Sequence, residues 1–127
     1  MLDHISIGVR DLARSRRFYD AALNPLHVSC LSSAADGLGY GGDRAQFWLI
    51  PVAHPVPRDP QSGLHICFAA TNRESVDAFH AAACASGGND NGAPGLRREY
   101  GAGYYAAFVL DPDGYRVEAY CDLDAAS

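Results

Sequence analysis

Apolar and polar residues alternate in two short segments of the chain, one at the amino terminus and one near its middle. In residues 2–9 one set is Ile5, Ile7 and Val9, and the other is Leu2, His4, Ser6 and Gly8. In residues 63–69 the sets are Leu64, Ile66 and Phe68 against His65, Cys67 and Ala69. Alternation places the two sets on opposite faces of a strand. Both segments therefore predict strands that carry a histidine on the face opposite the larger hydrophobic residues.

Each predicted strand is followed by a helical pattern. Asp11 can cap the segment LARSRRFYDAAL, whose larger apolar residues return at helical spacing until Asn24-Pro25 ends it. For the second helix, Thr71 and Glu74 form a capping-box pattern, and Gly87-Gly88 ends the apolar periodicity. The chain is therefore expected to contain two amphipathic helices, one after each histidine-bearing strand.

Further strands are predicted after each helix. The candidates are 27–32, 37–41 and 45–51 in the first half, and 95–99 (weak), 103–111 and 115–121 in the second. An Asp-Pro-Asp-Gly turn at 111–114 joins the last two. Between the halves, residues 51–63 contain four prolines and indicate a linker or mobile loop. The predicted order is βαβββ, twice.

The two halves also resemble each other in sequence. HISIGVRDLARSRRFYDAA (4–22) aligns with HICFAATNRESVDAFHAAA (65–83) at a constant offset of 61, which superposes His4 on His65. The distance from the histidine to a phenylalanine in the helix is the same in both. A long period that occurs only twice indicates two copies of one supersecondary unit, since a solenoid requires more repeats.

Composition and charge limit the class of protein. A chain of 127 residues is long enough for one domain with a real core. The net charge of −5, with scattered arginines and no lysine, does not indicate nucleic-acid binding. No apolar run approaches the roughly 20 residues of a membrane helix, and the amino terminus shows no signal peptide. Four scattered cysteines without a CxxC motif indicate reduced thiols. We therefore expect a cytoplasmic protein that binds neither nucleic acid nor membrane.

Glu118 is the unusual residue of the last predicted strand, DPDGYRVEAYCD. A carboxylate in a buried strand is costly unless a positive group meets it. Glu118 could be an exposed edge-strand residue paired with Arg116, which shares its face. His4 and His65 could each be an ordinary core or surface residue, but their equivalent strand positions make both candidate functional residues.

Three motifs in the expected order resemble one known family. They are LDHISIGVRDLARSRRFYDAAL at the start, GLHICFAA in the middle and AAFVLDPDGYRVEAY near the end. The chain is similar to the vicinal oxygen chelate superfamily, which contains glyoxalase I, extradiol dioxygenases, and fosfomycin- and bleomycin-resistance proteins. The resemblance implies an α+β fold in which two βαβββ modules form a curled mixed-sheet cup with the helices outside. It implies a single glyoxalase-like domain over 1–127, divided into module one (1–52), the linker (51–63) and module two (63–123).

The resemblance also implies a metal site. Its ligands would be His4, His65 and Glu118, with Glu118 as the catalytic residue, around a divalent iron, manganese, nickel or zinc ion. The fourth family position falls at Trp48, which cannot bind a metal. Two imidazoles and one carboxylate leave positions free for water and substrate oxygens. Cys67 shares the histidine face and could be a ligand or nucleophile, although a small buried thiol is expected. The expected substrate pocket comprises Trp48, Gln46, Tyr120 and Tyr104.

The resemblance favours a metal-dependent enzyme, either a lyase or isomerase or a dioxygenase, acting on a small oxygen-rich substrate. Glyoxalase-type isomerisation generally uses a second carboxylate, which Trp48 replaces here. Extradiol dioxygenases fit the ligand set but have longer chains, and fosfomycin-resistance proteins carry lysine, which this chain lacks. One alternative is a metal-free protein that sequesters a small molecule, as bleomycin-resistance proteins do. Another is a decayed paralogue whose only activity is dimerisation.

The resemblance implies a homodimer as well. Cups in this family often lie at a two-fold interface, sometimes with modules exchanged between chains. The linker 51–63 would then decide whether His4 joins His65 and Glu118 of its own chain or of its partner.

Overall fold

The computed structural model describes residues 1–123 and contains two units with the same order of elements. The first consists of β1 (Ile5–Val9), α1 (Leu12–Leu23), β2 (Ser29–Ala34), β3 (Gly37–Gly41) and β4 (Ala45–Pro51). The second consists of β5 (His65–Ala69), α2 (Arg73–Ala85), β6 (Asn89–Leu96), β7 (Tyr104–Leu110) and β8 (Arg116–Asp122). The predicted α+β fold of two βαβββ modules is thus confirmed. Over the described range, neither helix is long and apolar enough to span a membrane.

Each module forms one four-stranded mixed sheet. The strand orders are β1-β4-β3-β2 and β5-β8-β7-β6, so the first strand of each module is an edge strand. That edge strand pairs in parallel with the last strand of its module, which places Ser6 opposite Trp48 and Cys67 opposite Glu118. The internal repeat seen in the sequence is therefore also present in the pairing register of the two sheets.

Side-chain caps start both helices. Asp11 accepts a hydrogen bond from the Arg14 N–H at 3.1 Å, as predicted for α1. For α2 the cap is Asn72, whose Oδ1 accepts from the Ser75 N–H at 2.8 Å. The prediction of Thr71 as the cap was therefore wrong by one residue, because asparagine caps a helix at least as well as threonine.

The strand predicted at 95–99 was wrong in position. Strand β6 begins at Asn89 and ends at Leu96. Its sequence, NDNGAPGL, contains no apolar alternation, and its register against β7 shifts on both sides of Gly92. Pairing with β7 therefore determines this strand, and local propensity does not.

One hydrophobic core joins the two modules. It contains the residues of both helices that face the sheets and the apolar residues of one face of each sheet. The helices also pack against each other, and the rings of Phe47 and Phe68, from different sheets, meet edge to face at 5.2 Å. The opposite face of each sheet, here called its open face, remains free of helices.

The turn before β8 attaches module two to module one. The buried Asp111 accepts a hydrogen bond from the Tyr19 hydroxyl at 2.7 Å, and the hydroxyl of Tyr115 donates to the Gly8 carbonyl at 2.6 Å. The Val56 N–H donates to the same Tyr115 oxygen at 3.3 Å. The proline-rich segment 51–63 is therefore attached to this turn by a specific hydrogen bond.

Candidate functional site

Glu118 is buried on the open face of the second sheet, and both of its carboxylate oxygens have partners. Only 3 % of the residue is exposed. His65 Nε2 lies 3.0 Å from Glu118 Oε1, and the hydroxyl of Tyr104 donates to Oε2 at 2.6 Å. Arg116 does not pair with Glu118; its Nε donates to the Leu64 carbonyl at 3.3 Å. The alternative of an exposed glutamate paired with Arg116 was therefore wrong.

Strand register brings these side chains together. Cys67 lies opposite Glu118 on β5 and β8, and His65, two residues before Cys67, is on the same face. His65 and Glu118 therefore both lie on the open face, in neighbouring positions of the two strands. On the neighbouring strand, Tyr104 reaches back along the sheet and stacks on Tyr120 with ring centroids 4.0 Å apart. Period-two alternation puts an acid, an imidazole and a phenol on the same face of three adjacent strands, and the reach of Tyr104 along the sheet brings them into contact.

The phenol of Tyr104 and the thiol of Cys67, both close to Glu118, remain protonated at neutral pH. Burial, followed by the hydrogen bond to Glu118, raises the pKa of the Tyr104 hydroxyl well above its usual value. Burial of the thiol and the charge of Glu118 raise the pKa of Cys67 to about 12. Cys67 as a whole residue is exposed, so the expectation of a buried residue was wrong, although its thiol is partly desolvated. Since the thiolate is the reactive form of cysteine, this environment disfavours Cys67 as a nucleophile.

His4 lies apart from this cluster within one chain. Its Nδ1 contacts Asp3 Oδ2 at 2.8 Å, and Asp3 also contacts Arg44 Nη1 at 2.9 Å. The hydrogen bond from His4 and the charge of Arg44 lower the pKa of Asp3. Within residues 1–123, no group of three or more His, Cys, Asp or Glu side chains is arranged to hold a metal ion. A single chain therefore joins His65 to Glu118 and leaves His4 exposed just before the edge strand β1.

The donor atoms of His65 and Glu118 fit one divalent ion. Ligands that each bind zinc at about 2.1 Å in tetrahedral geometry lie roughly 3.4 Å from one another. The observed 3.0 Å separation of Nε2 and Oε1 is close to that value. These two residues could supply part of a coordination sphere, and within residues 1–123 no third His, Cys, Asp or Glu side chain is arranged with them to complete it.

The expected pocket residues divide between the two sheets. Trp48 is half-buried and Gln46 exposed on the first sheet, whereas Tyr104 and Tyr120 form their stacked pair on the second. The Trp48 ring lies over Gly39 on the neighbouring strand, where a Cβ atom would meet the indole. The absence of a side chain at Gly39 therefore provides the space that the indole occupies.

A cavity at the start of β8 was not predicted from the sequence. It has a volume of about 240 Å³, and its lining includes Arg58, Tyr115 and Arg116. Arg116 lies two residues before Glu118 on the same face, and that spacing could have indicated it. Arg58 comes from the proline-rich segment, where no periodicity relates a residue to the sheet.

Comparison with known proteins identifies the family. Residues 1–119 match the model of the Glyoxalase/Bleomycin resistance protein/Dioxygenase superfamily. A glyoxalase/bleomycin resistance protein from Albidiferax ferrireducens T118 is 32% identical, with 94% of this chain and 97% of that chain covered and a TM-score of 0.81.

Two more distant solved structures share the fold. The fosfomycin resistance protein FosX from Listeria monocytogenes is 18% identical, with 94% and 91% of the two chains covered and a TM-score of 0.71. A glyoxalase/bleomycin resistance protein/dioxygenase family enzyme from Burkholderia phytofirmans PsJN is 16% identical, with 95% and 98% covered and a TM-score of 0.73. No curated protein matches the chain at comparable significance. From the family match over almost its full length and the 32% identity to a solved relative, the chain belongs to the glyoxalase/bleomycin resistance protein/dioxygenase superfamily.

Proposed function

We propose that the protein is a divalent-metal-dependent enzyme of the lyase, isomerase or dioxygenase type that acts on a small oxygen-rich organic substrate. The metal would be iron, manganese, nickel or zinc, held by His65 and Glu118 of one chain and His4 of a second copy. One observation carries the proposal: a carboxylate only 3 % exposed lies 3.0 Å from an imidazole nitrogen. Titratable groups brought together on an open protein face are typical of functional sites.

The chain's own residues would position substrate and protons around that pair. A divalent ion bound there would polarise substrate oxygens as a Lewis acid. The Tyr104 hydroxyl donates to Oε2 and keeps that side of Glu118 fixed. The Glu118 carboxylate, oriented by Tyr104, can serve as the general base toward a bound substrate. The stacked Tyr104 and Tyr120 rings offer an aromatic surface to the organic part of a substrate.

A homodimer would complete the site. Strands β1 and β5 are both sheet edges, and His4 and His65 lie at their beginnings. Two exposed apolar residues flank His4 in sequence, with Leu2 80 % and Ile5 37 % exposed. Exposed apolar surface is typical of a protein contact. In a two-fold dimer the same patch is used by both chains, so each His4 could enter the site of the other chain.

A metal-free binding protein is the second candidate. One observation favours it: both oxygens of Glu118 already have partners, at 3.0 and 2.6 Å, without any cation. A buried carboxylate with two such partners can be stable on its own. In that case the open faces would bind a ligand by contact alone, without chemistry.

Metal analysis of protein purified without chelator separates the two candidates. The enzyme proposal predicts about one ion per site, retained after gel filtration, and loss of the ion in His65→Ala and Glu118→Gln. His54→Ala is the matched control, since His54 is an exposed histidine of the segment 51–63. Wild-type protein that folds normally and retains no iron, manganese, nickel or zinc would contradict the enzyme proposal and support the binding protein.

A further inference from the structure

The cavity at the start of β8 is formed where the segment 51–63 crosses the second sheet. Two neighbouring open-face residues, Leu110 of β7 and Arg116 of β8, line one side. The segment supplies Val56, Pro57, Arg58 and Pro60 on the other side. The hydrogen bond from the Val56 N–H to Tyr115 holds the segment over the sheet. Most of the wall is apolar, and its positive charge comes from the guanidinium groups of Arg58 and Arg116.

Both guanidinium groups have unused donors. Arg58 makes no hydrogen bond or ion pair with any residue of the described range 1–123, and Arg116 uses only its Nε, toward the Leu64 carbonyl. The acidic residue of the lining is the exposed Asp59, whose Oδ1 accepts from the Gln61 N–H at 2.9 Å. In a chain of net charge −5, two arginines without a carboxylate partner in one cavity are unusual. The planar guanidinium group matches a carboxylate in two parallel hydrogen bonds.

Gly114 allows Arg58 to reach its position. A Cβ atom at Gly114 would collide with the Arg58 guanidinium, and the φ angle of +93° at this residue also favours glycine. The guanidinium therefore lies directly against the backbone of the 111–114 turn. Contact with this rigid turn restricts the Arg58 head group before any ligand binds, which lowers the entropic cost of binding.

The cavity is adjacent to the His65–Glu118 pair. Arg116 is the register partner of His65, and Glu118 follows Arg116 by two residues on the same face. At about 3.3 Å per residue, the Cα atoms of Arg116 and Glu118 are roughly 6–7 Å apart. The cavity therefore lies beside the His65–Glu118 pair, with Arg116 as the residue of β8 between them, although neither His65 nor Glu118 is part of its lining.

We propose that this cavity binds the carboxylate of an organic anion with an apolar body. Arg116 and Arg58 hold the carboxylate, and Val56, Pro57 and Leu110 contact the body. The proposal that the cavity binds an organic anion does not depend on the enzyme function proposed above. The further conclusion that the substrate of the enzyme is an organic carboxylate rests on the function proposed above.

Benzoate and benzamide, which differ in charge but hardly in shape, provide a direct test. Each is titrated into wild-type protein in EDTA at low salt and followed by calorimetry or by the arginine side-chain NMR signals. We expect benzoate to bind at least about tenfold more tightly than benzamide, since a charge-assisted pair contributes more than 1.4 kcal/mol. Arg116→Gln and Arg58→Gln should each weaken benzoate about tenfold. Arg17→Gln, at an exposed position of α1, is the control and should leave the affinity unchanged.

Equal affinity for benzoate and benzamide, or equal weakening by Arg17→Gln and Arg116→Gln, would overturn the proposal. Arg58→Gln lies on an exposed segment and keeps the test decisive if Arg116→Gln does not fold. Because the titration contains EDTA, it is independent of metal binding. If the protein prefers benzoate but retains no metal, the anion site is supported and the enzyme proposal is contradicted. If it retains metal but does not prefer benzoate, the enzyme proposal is supported and the anion site is contradicted.

Discussion

Trp48 occupies in the first sheet the register position that Glu118 occupies in the second. Ser6 lies opposite Trp48 on the edge strand of module one, and Cys67 lies opposite Glu118 on the edge strand of module two. The two modules therefore share one scaffold, in which Trp48 and Glu118 occupy equivalent positions. Module two carries an acid there, whereas module one carries an indole that covers Gly39. Whatever chemistry the protein performs, only one of these two equivalent positions can supply a carboxylate.

Tyr104→Phe should destabilise the fold through Glu118. The change removes the donor 2.6 Å from Oε2 and leaves that oxygen of a buried carboxylate without its partner. We expect a loss of about 1–2 kcal/mol in the free energy of unfolding, measured with urea. Tyr100→Phe is the control, because Tyr100 is 66% exposed and its hydroxyl makes no hydrogen bond within the described part of the chain. Equal effects of the two variants would show that the hydroxyl of Tyr104 does not support Glu118.

Gly88→Ala should weaken the contact between the modules. A Cβ atom at this position would lie 2.5 Å from a ring carbon of Phe18 on α1 and 2.8 Å from the Ala83 carbonyl oxygen. The backbone of α2 cannot easily move away, so we expect a loss of about 1–3 kcal/mol, measured by thermal or urea unfolding. At Gly42 the nearest atom would be 4.0 Å away, so Gly42→Ala should change stability little. A similar loss in both variants would mean that crowding at Gly88 is not the cause.

Asp111→Asn should change how stability depends on pH. Burial raises the pKa of the Asp111 carboxyl above its usual value of 3.8, even though Tyr19 and two backbone N–H groups donate to it. The native state therefore keeps this proton to higher pH than the unfolded state does. That stabilising contribution is complete below pH 3.8 and is lost as pH rises through the raised native pKa.

Asparagine has no such titration. Relative to wild type, the variant should therefore gain free energy of unfolding as pH rises from below 3.8, until the native pKa is passed, and the difference should be constant above it. Urea unfolding of both proteins over a series of pH values measures this difference. A variant that instead loses free energy of unfolding relative to wild type as pH rises would indicate that the hydrogen bonds to Asp111 outweigh its burial.

Much of the fold could be predicted from local patterns. Alternation predicted β1 and β5, helical spacing and Asp11 predicted α1, and the Asp-Pro-Asp-Gly turn predicted the β7–β8 pair. Strand β6 could not be located in this way, because glycine, proline and asparagine in NDNGAPGL give no periodic signal. Its position depends on β7, and long-range pairing of that kind is not visible in a short window of sequence.

The candidate site could also be predicted only in part, because local patterns give the face of each strand but not its neighbours. The position of His65 beside Glu118 follows from two alternating strands, although the sequence could not show that these strands are direct neighbours. The contact between Tyr104 and Glu118 depends on a side chain that reaches along the sheet, and Arg58 depends on the path of an irregular segment. Relations between modules or between chains depend on packing of whole surfaces, which no spacing in the sequence encodes.

In the proposed dimer, each metal site combines His65 and Glu118 of one chain with His4 of the other. Mixing two variants that should each fail to retain metal alone, His4→Ala and Glu118→Gln, tests this arrangement most directly. In a two-fold heterodimer of these variants, one site carries both substitutions and the other carries neither. After subunit exchange, about a quarter of all sites should therefore bind metal again, as measured by elemental analysis. Recovery to that level is the expected result if His4 enters the site of the partner chain. Exchange confirmed by mass spectrometry with no recovery of metal would contradict it.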